Sequence, residues 1–194
     1  MSHVVEPTRH KLTTDDFERL GAAGILADDS RIELIEGDLI DMPPIGPGHA
    51  SVSNRLTRLF VLRAADAAIV SVANSIALPP WSMPQPDFTL LRPRADEYAS
   101  ALPGAADVLL AVEVADTTLR FDRTVKSRVY ASHGVAEYWI VEVDARRLHV
   151  LRDPQPAAGV FASEQVLEPP FEVAPRALAQ LRIASDEIWP SARV

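Results

Sequence analysis

The sequence predicts an α/β (α+β) fold in which helices flank a mixed central β-sheet. The segment from Val108 to Ala115 is almost continuously apolar and rich in β-branched residues, as in a strand that is buried on both faces. A helical segment and a second apolar strand, Glu137 to Val143, follow it. Because a strand–helix–strand crossover joins parallel strands, the sheet is expected to be partly parallel. An N-terminal β-hairpin is expected at one side of it.

The N-terminal half contains five predicted regions. The patterns predict a helix at 13–23, a hairpin at 31–42, a long helix at 50–68, and strands at 69–78 and 87–91. Thr14 is a candidate cap of the first helix, because its hydroxyl can accept a hydrogen bond from a free backbone amide. Glu36 and Gly37 separate the two alternating segments of the hairpin, as the residues of a tight turn do.

The C-terminal half continues the alternation of strands and helices. The patterns predict a strand at 108–115, a helix at 122–133, strands at 137–143 and 148–151, a weak strand at 160–167 and a final segment at 183–189. Gly134 follows the helix in the position where glycine commonly ends one. The two central strands are the most apolar, so the core is expected around them.

Length and composition indicate one globular domain. The chain has 194 residues, of which 47% are hydrophobic and 24% charged. We expect a single domain over 1–194, with its core at about 13–145 and a Pro-rich C-terminal extension at 146–194. The chain has no Cys, which excludes disulfides, thiol nucleophiles and Cys-ligated zinc.

Charge and hydropathy restrict the classes of partner. The formal net charge of −8 disfavours passive binding of nucleic acid, which normally requires a basic face. The N-terminus lacks the apolar core of a secretory signal, and the longest apolar run, Val108 to Val112, is too short to cross a bilayer. We therefore expect a cytoplasmic protein with no membrane partner.

Several catalytic motifs are absent from the sequence. Neither Lys11 nor Lys126, the two lysines of the chain, follows a Gly in the phosphate-loop pattern. The chain also lacks a Gly-rich dinucleotide-binding sequence, a G-x-S-x-G elbow and an H-E-x-x-H pair. The remaining candidates are carboxylates on strands.

Asp87 and Glu113 are the first two candidates. Asp87 begins a strand after Pro86, and Glu113 lies inside the most apolar strand, where burying a carboxylate costs several kcal/mol unless a cation or donors compensate it. Ligand crevices commonly lie at strand ends in α/β sheets. Two acids at neighbouring strand ends would suit Mg²⁺ or Mn²⁺. The alternative is that each carboxylate caps a loop or pairs with an Arg.

Lys126, Glu33 and His49 complete the candidate site. Lys126 lies on the helix after the Glu113 strand, in a chain that otherwise strongly prefers Arg, which favours a role that needs a compact ammonium rather than a guanidinium. The alternative is an ordinary surface pair with Asp122. For Glu33 the alternative is an exposed hairpin position, and for His49 it is a helix cap or a loop donor.

Four blocks of the sequence resemble the Uma2 (DUF820) family of the PD-(D/E)xK nuclease superfamily. They are RIELIEGDLIDMPP with His49 shortly after it, the PD at Pro86-Asp87, the VEV at Val112 to Val114, and DRTVKSRVYASHGVAEYWIVEV from Asp122. The resemblance covers about residues 13–145, with a looser match at the closing DEIWP. It implies a restriction-endonuclease-like core, which is a mixed sheet flanked by helices.

The resemblance also implies roles for the candidate residues. It implies an endonuclease that hydrolyses phosphodiester bonds of nucleic acid, with DNA as the expected substrate and Mg²⁺ or Mn²⁺ as the cofactor. Asp87, Glu113 and the backbone carbonyl of Val114 would be metal ligands, and Lys126 the catalytic lysine. Glu33 and His49 match recurrent family positions and are possible additional site residues.

The sequence departs from the family pattern in three places. Ala115 stands where the superfamily commonly has its lysine, and the resemblance suggests that Lys126 reaches the same space from the helix. The segment after Glu113 reads ADTT where relatives often have a Ser-Pro turn, and Asp38 stands where Glu is common. A non-catalytic interaction module on a nuclease fold and a hydrolase of a smaller phosphate ester therefore remain open.

Contacts with a nucleic-acid backbone and with a second copy are further expectations. Two sets of arginines could meet phosphates, or could lie on a solvated helix surface: Arg55, Arg58 and Arg63 on the long helix, and Arg120, Arg123 and Arg128 near the site. The hairpin or the Pro-rich tail could present an edge for pairing, and nucleases that cut duplexes are often dimers. We therefore expect a homodimer.

Overall fold

The computed structural model describes residues 8–27 and 30–190. Its strands are β1 (Ile32–Ile35), β2 (Asp38–Asp41), β3 (Ile69–Val72), β4 (Phe88–Leu91), β5 (Val108–Ala115), β6 (Glu137–Glu142), β7 (Arg147–Gln155), β8 (Val160–Leu167), β9 (Glu172–Val173) and β10 (Ile183–Ala184). Its helices are α1 (Thr14–Ala22), α2 (Pro47–Ala64), α3, and α4 (Ser185–Ile188). Here α3 denotes one continuous helix made of Leu119–Phe121, a π-helical turn at Asp122–Lys126, and Ser127–Ser132.

Six strands form the central sheet, in the order β3-β4-β5-β6-β7-β8. Only β5 and β6 are parallel neighbours, and α3 makes the crossover between them. All the other neighbours in this sheet are antiparallel. The mixed α+β fold with a separate β1–β2 hairpin is therefore confirmed.

Two apolar layers pack on opposite faces of the sheet. Val112 and Val114 of β5 face a layer formed by α2 and by the C-terminal residues around β10 and α4. Ala111 and Ala115 face a second layer that includes residues of α3. Because side chains alternate along a strand, Glu113 lies on the α3 side of the sheet.

The N-terminal elements differ from the prediction at their ends. Thr13, and not Thr14, caps α1: its hydroxyl accepts from the Asp16 amide while the Asp16 carboxylate accepts from the Thr13 amide. Helix α2 begins at Pro47, whose fixed φ suits a first helical position, so His49 lies inside the first turn. The strand predicted at 69–78 ends at Val72, because Ala73 has φ 49°, outside the β region.

The C-terminal elements extend the core beyond the expected boundary at residue 145. Strands β7 and β8 belong to the central sheet, although the sequence predicts only short or weak strands there. Leu181, Ile183 and Trp189 are buried in the α2 layer. Helix α3 also starts earlier than predicted, at Leu119, and Gly134 follows it with φ 76°. None of the described helices is long and apolar enough to span a bilayer.

Candidate active site

A cleft of about 110 Å³ brings the six sequence-predicted site residues together. Its walls come from β1, the start of α2, the end of β5 and α3. Its lining includes all six predicted residues: Glu33, His49, Asp87, Glu113, Val114 and Lys126. Residues that are far apart in the sequence therefore meet at the C-terminal end of β5, where ligand crevices are common in sheets of this kind.

A buried ammonium joins two carboxylates in this cleft. The Nζ atom of Lys126 donates to Oε1 of Glu113 at 2.9 Å and to Oε1 of Glu33 at 3.0 Å. The Lys126 side chain is only 1% exposed. Lys126 is therefore not the surface partner of Asp122 that the alternative interpretation required.

Local structure explains why the side chains of Lys126 and Glu33 meet inside the protein. The π-helical turn of α3 ends at Lys126, and such turns alter which side chains a helix directs inward. Glu33 is buried because the hairpin is fixed to the neighbouring loop: the Met83 amide donates to the Leu34 carbonyl at 2.7 Å, and the Gly37 amide donates to the Trp81 carbonyl at 2.7 Å. The exposed position considered for Glu33 is therefore wrong.

Asp87 is held between β5 and α2. Its Oδ2 atom accepts from the Val114 amide at 2.7 Å and lies 3.1 Å from Nε2 of His49. The Oγ atom of Ser53 lies 3.2 Å from Nδ1 of the same ring. One tautomer satisfies all these contacts, with Nε2–H donating to Asp87 and Nδ1 accepting from Ser53. His49 thus fixes Asp87 rather than capping α2.

Tyr130 is a site residue that the sequence interpretation missed. Its hydroxyl donates to Oε1 of Glu113 at 2.8 Å, and its side chain is fully buried. Burial, with the nearby negative charge of Glu113, raises the pKa of the phenol, so the phenol stays protonated and donates. Tyr130 follows Lys126 by four residues, and this i,i+4 spacing on one helix face was the available signal.

Asp122 is the second missed residue. Its Oδ2 atom accepts from the Thr118 hydroxyl at 2.6 Å, whereas its buried Oδ1 atom has no hydrogen-bond partner in the described part of the chain. Burial raises the pKa of this carboxyl to about 6, although the charge of Lys126 opposes the shift. Sequence patterns do not show that an acidic residue at the start of a helix will be enclosed.

The charges of the site are not balanced. Burial alone would lower the pKa of the Lys126 ammonium, but the surrounding carboxylates, first among them that of Glu113, hold it above its ordinary value. Burial raises the pKa of the Glu113 carboxyl well above its ordinary value, against the attraction of Lys126. Since one ammonium compensates one negative charge, the site still favours a further cation or a bound proton.

The free oxygen atoms fit a hard divalent cation. Oε1 of Glu113 and Oδ2 of Asp87 are occupied by donors, while no group within residues 8–27 and 30–190 donates to the second oxygen of either carboxylate. Oε2 of Glu33 is buried, and no residue that the structure describes bonds to it. Within 8–27 and 30–190, no three His, Asp or Glu side chains form a metal-binding group by themselves. The donor set that fits is two carboxylates with the Val114 carbonyl.

Half of the arginines considered for phosphate contacts are already in ion pairs. Arg63 pairs with Glu187, Arg123 with Glu164, and Arg128 with Glu36. Arg55 has no ion pair in the described part of the chain but donates to the Glu187 carbonyl at 3.4 Å, whereas the side chains of Arg58 and Arg120 have neither a hydrogen bond nor an ion pair there. These two are the remaining candidates from the two sets.

Comparisons with known proteins identify relatives of this chain. The model of the Uma2 family, described as "Putative restriction endonuclease", matches residues 14–184. The crystal structure of a "putative nuclease belonging to DUF820" from Anabaena variabilis ATCC 29413 superposes with a TM-score of 0.73 at 18% identity, covering 91% of this chain and 97% of that chain. At this identity the likeness shows the fold alone. No curated protein matches the chain.

Proposed function

Because the chain belongs to the Uma2 family of restriction-endonuclease-like proteins, we propose that it is a Mg²⁺-dependent endonuclease that hydrolyses phosphodiester bonds of DNA. The observation that supports this most strongly is the buried Lys126 ammonium, 2.9 Å from Glu113, in a cleft that Asp87 also lines. A carboxylate pair beside a fixed ammonium is a site for an anionic ester and a cation together.

Asp87, Glu113 and the Val114 carbonyl would hold the divalent cation. Mn²⁺ satisfies the same oxygen ligands. When bound, the ion supplies a Lewis acid that polarises a phosphoryl oxygen and neutralises negative charge. His49 and Ser53 hold Asp87 in place, while Lys126 and Tyr130 hold Glu113, so the two carboxylates are positioned before substrate arrives.

Lys126 would stabilise the charge that develops on the phosphate. An ammonium has three N–H donors, and two of them bond to Glu113 and Glu33. The third can bond to a phosphate oxygen or to the attacking water. Because the group is buried and fixed, it acts without reorganisation and in a medium that screens its charge little. Glu33 is then a positioning residue for Lys126.

The acidity of the cleft accounts for a requirement for a cation. Glu33, Asp87 and Glu113 repel a phosphodiester, and a divalent ion held among them reduces that repulsion. Contacts with the rest of a DNA backbone require cations outside the cleft, for which Arg58 and Arg120 are available. Affinity should therefore fall steeply as the salt concentration rises.

Cleavage of DNA by matched variants tests the proposal. Supercoiled plasmid is incubated at low salt with Mg²⁺ or with EDTA. We expect nicking by the wild type with Mg²⁺ only, and a loss of about 10²-fold or more in Asp87→Asn and Glu113→Gln. Asp66→Asn, which removes a carboxylate from an exposed surface site, is the control and should cleave as the wild type does.

Other outcomes identify the alternatives. Mg²⁺-dependent hydrolysis of bis(p-nitrophenyl) phosphate without any nicking would indicate a hydrolase of smaller phosphate esters. An absence of both activities, together with no change in melting temperature on addition of Mg²⁺ or Mn²⁺, would indicate a non-catalytic module, since a ligand that binds only the native state raises its stability.

A further inference from the structure

A groove of about 470 Å³ adjoins the candidate active site. It is lined by residues of β3, by Asn74 and Ser75 after that strand, and by residues of the segment 97–103. Gln85 lines both this groove and the cleft. Gln85 precedes Asp87 by two residues, which an extended backbone spans in about 7 Å at most. A ligand held at Asp87 can therefore extend directly into the groove.

The cleft accommodates only part of a nucleotide. Its volume, about 110 Å³, lies below the range of about 300–1,000 Å³ that is common for small-molecule sites, whereas the volume of the groove lies within that range. Under the proposed function, on which this inference rests, the cleft holds the phosphate group and its cation. The sugar and the base of the same nucleotide then lie outside the cleft, and the groove offers adjoining space of the required size.

The groove lacks the positive charge that a phosphate backbone requires. None of the lining residues that the structure describes is Lys, Arg or His, and the single charged group among them is the Glu97 carboxylate. Arg94 lies 4.7 Å from the centre of the Tyr98 ring, but its guanidinium pairs with Asp96 at 2.6 Å. The groove therefore suits an uncharged part of the substrate rather than a further phosphate.

Side-chain amides provide hydrogen-bonding groups in the groove. The Nε2 atom of Gln85 donates to the Ala73 carbonyl at 2.6 Å, and Nδ2 of Asn74 donates to the Ser71 hydroxyl at 3.0 Å. Within residues 8–27 and 30–190, the second N–H and the oxygen of each amide have no partner. An amide with one free donor and one free acceptor matches the edge of a nucleobase, as Asn and Gln do with adenine.

Apolar side chains provide a surface for the face of a base. Leu102 is 42% exposed although it is large and apolar, and Tyr98 and Pro103 lie in the same lining. Sites for unstacked bases combine such apolar or aromatic surfaces with polar groups that meet the base edge. Both kinds of group are present in this groove.

We propose that the groove binds an unpaired base of the nucleotide next to the scissile phosphate, with Gln85 and Asn74 contacting its edge. In a duplex the base edges lie at the bottom of grooves about 7.5–8.5 Å deep, where only a protruding protein element reaches them. A concave site requires a base that has left the helix or belongs to a single strand. The substrate class is therefore DNA that is unpaired at the cleavage site.

Binding without cleavage tests the groove separately from the proposed activity. A short single-stranded oligodeoxynucleotide and an abasic strand of the same length carry the same phosphates and differ only in their bases. With Ca²⁺ in place of Mg²⁺, we expect the wild type to bind the strand with bases about tenfold more tightly, as measured by fluorescence anisotropy. Gln85→Met and Asn74→Ala should each reduce this preference several-fold. Gln165→Met, which changes an exposed glutamine of β8 outside the groove, is the matched control.

Cleavage provides a second measurement. We expect a duplex with a short unpaired stretch to be cut faster than a fully paired duplex of the same length, and this difference to shrink in Asn74→Ala but not in Gln165→Met. Titration with Mn²⁺ checks that the cleft of each variant is intact. If Gln85→Met loses cation binding, Asn74→Ala decides, because Asn74 is exposed and does not line the cleft.

Equal affinities of the wild type for the two strands would overturn the proposal, as would a base preference that both groove variants retain in full. Plasmid nicking without any base preference would refute the groove assignment and leave the proposed function standing. A base preference that depends on Gln85 or Asn74, in a protein that cleaves no DNA, would support the groove and contradict the proposed activity.

Discussion

The ammonium nitrogen of Lys126 lies 2.9 Å from Oε1 of Glu113, and both side chains are almost completely buried. An ion pair in this position costs more desolvation energy than an exposed pair does. The chain keeps it beside a cleft, where a fixed charge can act on a ligand. This contact between a strand and the following helix is the basis of the predictions below.

Removing the ammonium should destabilise the protein strongly. Lys126→Met leaves Glu113 and Glu33 buried beside no cation, and we expect the free energy of unfolding to fall by about 3–5 kcal/mol in urea denaturation. The double variant Lys126→Met/Glu113→Gln should recover part of this loss, because one of the uncompensated charges is gone. Equal losses in the single and double variants would show that the charges are not coupled.

Keeping the charge but changing its shape should abolish activity. Lys126→Arg preserves a positive charge, but the planar guanidinium is larger than the ammonium and cannot occupy the same enclosed position between Glu33 and Glu113. We expect plasmid nicking to be lost. Nicking at a near-normal rate would remove the requirement for a compact ammonium and limit Lys126 to a structural role.

Tyr130 should affect metal affinity more than stability. Tyr130→Phe removes one of the two donors to Oε1 of Glu113, and groups that orient a metal ligand typically contribute 10–100-fold to affinity. We expect the Mg²⁺ concentration for half-maximal nicking to rise by about that factor. Tyr138→Phe is the matched control, because the Tyr138 hydroxyl donates only to a backbone carbonyl, at 3.3 Å. Equal effects of the two variants would contradict the assignment.

Asp122 should make stability depend on pH. Its folded-state pKa, about 6, lies above the ordinary value of 3.8, so the folded state holds a proton that the unfolded state releases. The free energy of unfolding should therefore decline as the pH rises from about 4 to about 6, by up to about 3 kcal/mol, and this contribution should be level outside that range.

The variant Asp122→Asn isolates this contribution. Its amide does not titrate, so the difference in unfolding free energy between variant and wild type should move in favour of the variant as the pH rises through this range. Urea denaturation at pH 4.5 and pH 7 measures the change. A difference that is independent of pH would mean that Asp122 titrates normally in the folded protein.

The sequence predicts the elements better than their ends, and the site residues better than their contacts. The strand predicted at Val108–Ala115 is confirmed. It could be recognised because its sequence is almost continuously apolar and rich in β-branched residues. Strand β8 is underestimated because residues 162–166 of this edge strand are all exposed, so there is no alternating pattern to detect. The burial of Glu33 depends on backbone bonds from a distant loop, and no local pattern contains that information.

Some residues of the candidate site could be predicted from the sequence, and others could not. Asp87, Glu113 and Lys126 can be singled out because charged groups beside apolar strands are costly, and because lysine is rare in this chain. Tyr130 and Asp122 escape notice because tyrosine and a helix-initial aspartate are common in ordinary structure. Only the packing of α3 on β5 shows that Tyr130 donates to Glu113 and that Asp122 is buried.

Calorimetric titration with Mn²⁺ tests the central claim most directly, because it measures cation binding without requiring turnover. We expect one site per chain in the wild type and in the surface control Asp66→Asn, and no measurable binding in Asp87→Asn or Glu113→Gln at the same concentrations. Unaltered binding in either cleft variant would contradict the assignment of that carboxylate, and no binding to the wild type would contradict the claim that this cleft holds a divalent cation.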